Sequence, residues 1–290
     1  MSYRIFTDAT VDISDELLEG LPPLTIIPMP VTICGREYTY GPEGDIDLEF
    51  FYQLQRDGWY GMTSQINPES YWKHFFPALE EGDDILYLCF TSGLSGTIQS
   101  ARICMEDLKE TFPERKMICL DTLCGSVGQA LLVHEALKRQ AEGYSLKDLA
   151  VWVEENKKKV CHWFTVDEFH HLKHGGRVSG VTAAFGTALQ IKPMLRINDV
   201  GALEVAEKPR GHRKAMAAQI NRMKQGWIPD EMGNTVIIGH GDCPDRAADL
   251  RYEVTKAFPE AQVCISEIGP IIGAHTGPGM LALIYWGNNR

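Results

Sequence analysis

The sequence contains no Gly-Lys dipeptide, no His-Glu-x-x-His and no Cys-x-x-Cys. The first absence excludes a Walker-A phosphate loop, the second a zinc-protease helix, and the third the paired spacing of thiol redox and zinc motifs. Basic residues are in deficit, with 28 Lys and Arg against 39 Asp and Glu and a formal net charge of −11. Such a balance carries no general nucleic-acid footprint, so no nucleic-acid partner is expected. The longest uncharged run, Ile268 to Asn289, holds two prolines and five glycines, which would break a membrane helix. The first twenty residues are acidic and lack the basic and apolar regions of a signal peptide, so a cytoplasmic location is expected. Neither an internal repeat nor a Pro/Ser-rich linker interrupts the chain.

What is present is an ordinary globular composition: 290 residues, 44% hydrophobic and 23% charged. That length supports one large domain or two small ones. Eight scattered cysteines read as reduced, buried thiols. Tyr3 to Phe6 reads as a strand that enters a polar turn, with Ser14 capping a helix at Asp15 to Leu18. Apolar runs at Thr25 to Ile33, Ile85 to Phe90 and Met117 to Leu120 read as strands. Helical patterns cover Leu48 to Arg56, Pro68 to Glu80, Gly96 to Glu110, Val127 to Glu142 and Leu146 to Lys159. Strand and helix alternate, which implies a parallel sheet and an α/β unit over residues 1–160.

Beyond residue 160 strands are expected at Cys161 to Val166, Met194 to Ile197, Ala202 to Ala206, Thr235 to Gly239, Val263 to Ile268 and Leu281 to Tyr285. Fewer helices and longer loops are expected there. Asn198-Asp199-Val200-Gly201 is a hairpin signal, so residues 161–290 read as an α+β unit with a mixed sheet.

Four segments offer chemistry. Phe90 to Thr97 follows an apolar strand and opens a helix, where hydroxyls and unpaired N–H groups suit a carboxylate or phosphate. A capped glycine turn accounts for such a loop without any ligand. A serine-hydrolase elbow is excluded, because Thr97 stands where glycine must follow Ser95. Met62 to Gln65, read as a loop, offers hydroxyls and an amide. Ile268 to Gly279 reads as a Gly/Pro-rich loop in which His275 either meets a carboxylate or is satisfied by backbone. In Asp167 to Ser179, His170 with His174 and Asp167 with His171 have i, i+4 spacing that metal ligands can use. Lys173 lies within that cluster and no metal is expected. Gly175-Gly176 then ends the helix and presents Arg177, whose fork suits carboxylate or phosphate. Val178 to Ile191 is uncharged and rich in small residues, which suits a buried helix or a pocket wall.

Taken in order, TDATVDIS at 7–14, MTSQINP at 62–68, FTSGLSGTIQSA at 90–101, HLKHGGRVS at 171–179, IKPML at 191–195 and GAHTGPG at 273–279 resemble the DegV family. These are fatty-acid-binding proteins that serve as substrate-carrying subunits of bacterial fatty acid kinase. The resemblance implies a two-domain α/β protein with one long-chain fatty acid at the domain junction and no other cofactor. It places the carboxylate on Thr63, Ser95 and His275, with the N–H of Gly96 as a further donor, and Arg177 where the phosphate of the product would lie. It implies a partner kinase that supplies ATP, an acyl phosphate that enters phospholipid synthesis, and a transient membrane contact. The chain would then carry rather than catalyse. Ile66-Asn67 departs from the family's usual Pro-Ser, and His174 from its usual basic residue. The competing reading is an autonomous enzyme acting on a small carboxylate or phosphate through His275. A ligand-free acidic scaffold fits less well, since three polar loops at strand ends exceed what packing needs.

Overall fold

The computed structural model describes residues 2–177 and 190–290. In chain order its strands are β1 (Tyr3–Asp8), β2 (Leu24–Ile27), β3 (Met29–Ile33), β4 (Arg36–Tyr40), β5 (Met62–Thr63), β6 (Asp84–Cys89), β7 (Met117–Asp121), β8 (Val160–Thr165), β9 (Met194–Ile197), β10 (Leu203–Glu207), β11 (Thr235–His240), β12 (Gln262–Glu267) and β13 (Leu281–Trp286). The helices are α1 (Asp15–Leu18), α2 (Leu48–Arg56), α3 (Pro68–Glu80), α4 (Thr97–Thr111), α5 (Val127–Ala141), α6 (Leu146–Asn156), α7 (His170–His174), α8 (His212–Gly226), α9 (Pro229–Met232), α10 (Pro244–Ala257) and α11 (Pro270–Thr276).

One sheet is wholly parallel, in the order β2-β1-β6-β7. A second, mixed sheet runs β10-β9-β8-β13-β11-β12, with only β11 and β12 parallel. Every residue of β6, β8, β11 and β13 is buried, as expected of strands covered on both faces. The cover follows from the helices: α3 and α4 lie outside the parallel sheet, α8 and α10 outside the mixed sheet, and α5 and α6 between them. An interior helix must be apolar around its whole circumference, and α5 is buried from Val127 to Val133 without a break. Fold and class thus agree with the α/β reading, a parallel sheet followed by a mixed one.

Several local expectations are corrected. Thr25 to Ile33 is two strands, because β3 leaves the parallel sheet to form a small antiparallel sheet, β4-β3-β5. Met62-Thr63 is therefore a strand, paired to Thr32 and Val31, and not a loop. Ile268 to Gly279 contains α11, started by Pro270 in the first turn and ended by Gly277 at φ 74°. The second half is richer in helix than expected, with fifteen residues in α8 and fourteen in α10. Ser14 precedes α1, but its hydroxyl makes no cap and has no partner. Residues 178–189, most of the uncharged stretch, lie outside the described residues. No described helix is long and apolar enough to cross a membrane.

Candidate functional site

The parallel sheet changes direction of winding between its neighbours β1 and β6, and ligands of open α/β sheets sit at the carboxyl ends of such a pair. Two aspartates from the first turn of the sequence build that edge. Asp8 is fully buried and accepts from Tyr87 Oη (2.9 Å), Phe90 N (3.0 Å) and Thr10 N (3.2 Å), fastening the loop after β1 to the loop after β6. Asp12 accepts from Ser126 Oγ (2.6 Å) at the head of α5 and from Gly269 N (2.8 Å) ahead of α11. Burial pushes the Asp12 carboxyl up to about 7, against the pull of those two donors. The sequence marked the segment holding both residues, yet nothing in it revealed that they would be interior clamps.

Across from this edge α11 is seated by α2: Tyr52 Oη donates to Ile268 O (2.7 Å) and Gln55 Nε2 to Gly273 O (2.9 Å). The seat is tight. A Cβ at Gly61, just before β5, would lie 2.8 Å from Ala274 Cβ, so glycine there lets α11 reach the small sheet. That approach brings Thr63 to His275 across 212 residues of sequence, with Thr63 Oγ1 and His275 Nε2 2.8 Å apart.

His275 Nδ1 is buried without a partner. An unmatched acceptor is tolerated better than an unmatched N–H, so we assign the proton to Nε2, which then donates to Thr63 Oγ1. The Thr63 hydroxyl hydrogen is left to point elsewhere. Burial, with Arg177 and His174 nearby, lowers His275 to about 4, so the imidazole is neutral at pH 7. Ser95 Oγ accepts from Thr97 N (3.2 Å) and pairs with Thr97 Oγ1 (2.8 Å), which closes the turn that begins α4. Gly96 is the residue at the helix N-cap and presents no side chain. Arg177 is exposed, donating to Gly175 O (2.5 Å) with a longer approach to Leu94 O (3.5 Å). Asn67 caps α3 by accepting from Ser70 N (2.8 Å), so the departure at Ile66-Asn67 preserves the helix start.

Thr63, Ser95, Gly96, His275 and Arg177 all line one cavity of about 200 Å³. The structure therefore brings to one cavity all five residues that the resemblance implies for the carboxylate and phosphate. Its remaining wall is mostly apolar. Phe164 and Ala282 are partners on β8 and β13, as are His162 and Ile284, and all four line the cavity with Met280. At about 3.3 Å per residue, the wall from Met280 to Ile284 runs about 13 Å along the strand. Phe90, Ile271 and Leu172 face it from the loop after β6, from α11 and from α7. His162, deep in this wall and held neutral by burial, is matched by Val160 O (3.1 Å) and Gly125 N (3.4 Å). A Thr–His pair also invites a nucleophile–base reading, but a base is ordinarily oriented by a third group. His275 Nδ1 has none among the described residues.

The metal spacing noted in the sequence is not realised. Asp167 is bound by Arg246 (2.9 and 3.0 Å) and Lys192 (3.1 Å), while His174 stacks on Tyr60 with ring centroids 4.3 Å apart.

Comparison with known proteins bears on this geometry. A DegV domain-containing protein of Clostridium perfringens is 36% identical over 289 residues, covering 99% of this chain and 98% of its own length. A solved structure described as fatty acid binding of a DegV family protein from Thermus thermophilus superposes with a TM-score of 0.87 at 29% identity, covering 99% of this chain and all of that one. The Streptococcus pneumoniae fatty acid kinase B3 protein, solved loaded with linoleic acid, shares the fold at TM-score 0.87 and 19% identity, covering 99% and 100% of the two chains. The family model described as "Uncharacterised protein, DegV family" matches residues 2–288, and the chain belongs to the DegV family.

Proposed function

We propose that this protein binds a single long-chain fatty acid between the units 1–160 and 161–290, carboxylate at the polar mouth and tail along β8 and β13. The observation that carries the reading is the division of one cavity into a mouth of hydroxyls, imidazole and helix start and a long apolar wall. Removing a carboxylate from water costs several kcal/mol unless it is hydrogen-bonded; the Thr63 and Ser95 hydroxyls and the Gly96 N–H are donors of the right kind, and His275, donating from Nε2, turns the Thr63 hydroxyl to that task. Burying about fifteen methylenes at roughly 0.8 kcal/mol each offsets this, before ordering costs. Thr63 Oγ1–H, relieved of its histidine partner as donor, is the first group we assign to the carboxylate.

The bound acid is presented to a partner kinase that holds ATP. A carboxylate oxygen bonds to the γ-phosphorus as the bond to ADP breaks, and the acyl phosphate leaves for phospholipid synthesis. Arg177, exposed at the mouth, is placed to meet the incoming phosphoryl oxygens; the chain itself supplies no catalytic group. Trp59 (50% exposed) and Met62 (58%), just before Thr63 in the chain, suit the transient contact with a lipid surface that delivery requires. The setting is cytoplasmic, and the lipid is the only small molecule the reading needs.

Native mass spectrometry followed by solvent extraction tests the proposal. One fatty acid per chain is the expected result. A protein that purifies empty and takes up no added fatty acid would overturn it, and turnover of a small carboxylate without a kinase would favour the enzyme reading.

A further inference from the structure

With Asp167 held by Arg246 and Lys192 and His174 stacked face to face on Tyr60, whose ring also meets His170 and His171 at 5.5 and 5.4 Å, the histidine-rich segment leaves Glu168, His170 and His171. One ligand atom from each lies within 4.8 Å of the others. His170 Nδ1 is 3.0 Å from Glu168 Oε2. In a tetrahedral zinc site, bonds of about 2.0–2.1 Å put neighbouring donors about 3.3 Å apart, so this pair already has the spacing of two ligands. Successive helix residues point about 100° apart and do not normally share an ion. Here His170 is the first residue of α7 and folds over its neighbour, with the two ring centroids 4.3 Å apart and the planes 35° apart.

His171 supplies an independent observation. It is only 3% exposed, and its Nδ1 is buried with no hydrogen-bond partner. Orphaned buried polar atoms are rare and call for an explanation.

We propose that Glu168, His170 and His171 bind one transition-metal ion, zinc foremost, with water in the open fourth position. Two imidazoles and one carboxylate suit zinc, copper or nickel, and a single oxygen ligand is too few for magnesium or calcium. The sequence objection, Lys173, weakens in the fold, because that side chain is exposed and its long stem keeps the ammonium in water. Ligands drawn from four consecutive residues need little ordering, and the ion would pin the start of α7, whose far end carries Gly175 and Arg177. The proposal does not depend on the identity of the ligand in the cavity.

The test is titration of chelator-stripped protein with zinc chloride in competition with a chromophoric chelator. One zinc per chain at micromolar affinity or tighter is expected, undisturbed by millimolar magnesium. His170→Ala and Glu168→Gln, both at exposed side chains, should each weaken binding at least tenfold. His174→Ala, whose ring lies on Tyr60, leaves it unchanged. Zinc uptake that both ligand variants retain in full, no uptake at all, or equal displacement by magnesium would overturn the assignment.

Discussion

Gly175 offers the sharpest probe of the anion site, because its backbone is ordinary and its surroundings are not. At φ −67° and ψ −13° it has the conformation of a helical residue, so alanine fits the backbone without strain. Considered alone, that exchange stabilises a protein by about 0.4–1 kcal/mol through the unfolded chain. A Cβ there, however, would lie 2.2 Å from His275 Nδ1 and 3.2 Å from Cγ and Cε1. To regain ordinary contact at 3.4 Å the imidazole must retreat by about 1.2 Å, enough to break its 2.8 Å bond to Thr63. That bond joins two neutral groups and orients the Thr63 hydroxyl, so its loss is worth about 0.5–1.5 kcal/mol, or about 2- to 13-fold in affinity. Gly175→Ala should therefore bind a fluorescent fatty acid more weakly by that factor while its urea midpoint stays near that of the wild type, because the backbone gain and the lost bond nearly cancel. His275→Ala should match it, and the double variant should be no worse than either single one, since both remove the same contact. Gly176→Ala is the contrast: at φ 69° with open space around its Cβ, it should lose stability through backbone strain and spare the binding step. Wild-type affinity in Gly175→Ala, with His275→Ala impaired, would refute the packing argument. Wild-type affinity in both would remove His275 from the site.

Ser95→Ala should weaken fatty-acid retention about tenfold and cost about 1 kcal/mol in urea unfolding, since Ser95 Oγ also accepts from Thr97 N; full retention in a folded variant would count against the carboxylate assignment. Asp12→Ala should destabilise by about 2–4 kcal/mol, because Ser126 Oγ and Gly269 N lose their acceptor in a buried place, and Asp12→Asn by less; equal stability of all three proteins would show that the clamp is idle. Stability should also rise with pH between about 4 and 6.5. His171 and His275 are held near 4, so over that window the unfolded chain binds protons that the folded one does not, and the stabilisation disappears as pH falls. The full shift of buried His171 corresponds to about 3 kcal/mol, while Asp12, raised to about 7, works in the opposite sense and offsets one histidine. His162 and His240, also lowered, add to the histidine side, so urea midpoints that do not fall from pH 7 to pH 5 would contradict this balance.

The sheets and long helices were legible because their pattern is local. β13 is an unbroken apolar run, β6 and β11 carry apolar runs at residues 85–89 and 236–238, and α5 opens on a largely apolar stretch that continues in helical pattern. β5 was not, since two residues make a strand only when β3 lies alongside. In α11 Pro270 at the start and Gly277 after the end bracket a short helix, but the many glycines from Gly269 to Gly279 read as loop. α8 was hidden for another reason, as its Gln219 is fully buried and its only wholly buried large apolar side chain is Met223, so its apolar stripe is thin. At the site, chemistry was legible and assembly was not. The polar character of each loop could be read residue by residue, but the choice of Thr63, Ser95 and His275 came from resemblance, because no spacing rule joins residues 212 apart.

The charge arrangement at the cavity mouth connects structure to the proposed role. An anion site meant for permanent retention would use a buried arginine, whose bidentate pairing both anchors a carboxylate and holds its electrons. Here the groups assigned to the mouth are neutral: the Thr63 and Ser95 hydroxyls, the head of α4, and the His275 imidazole that burial keeps unprotonated. The one guanidinium, Arg177, is exposed and satisfied by backbone carbonyls, so it is not buried against the site. Neutral donors lower the cost of desolvating a carboxylate without neutralising it, and an oxygen that keeps its charge remains a nucleophile. Exchanging Thr63 for lysine makes the distinction measurable. A retention site would gain affinity from the added charge and lose nothing else, whereas a presenting site should gain affinity and lose phosphorylation by the partner kinase, because an ion-paired oxygen attacks phosphorus poorly. Tighter binding with undiminished acyl phosphate formation, trapped as the hydroxamate, would show that the neutrality of the mouth has no part in the transfer.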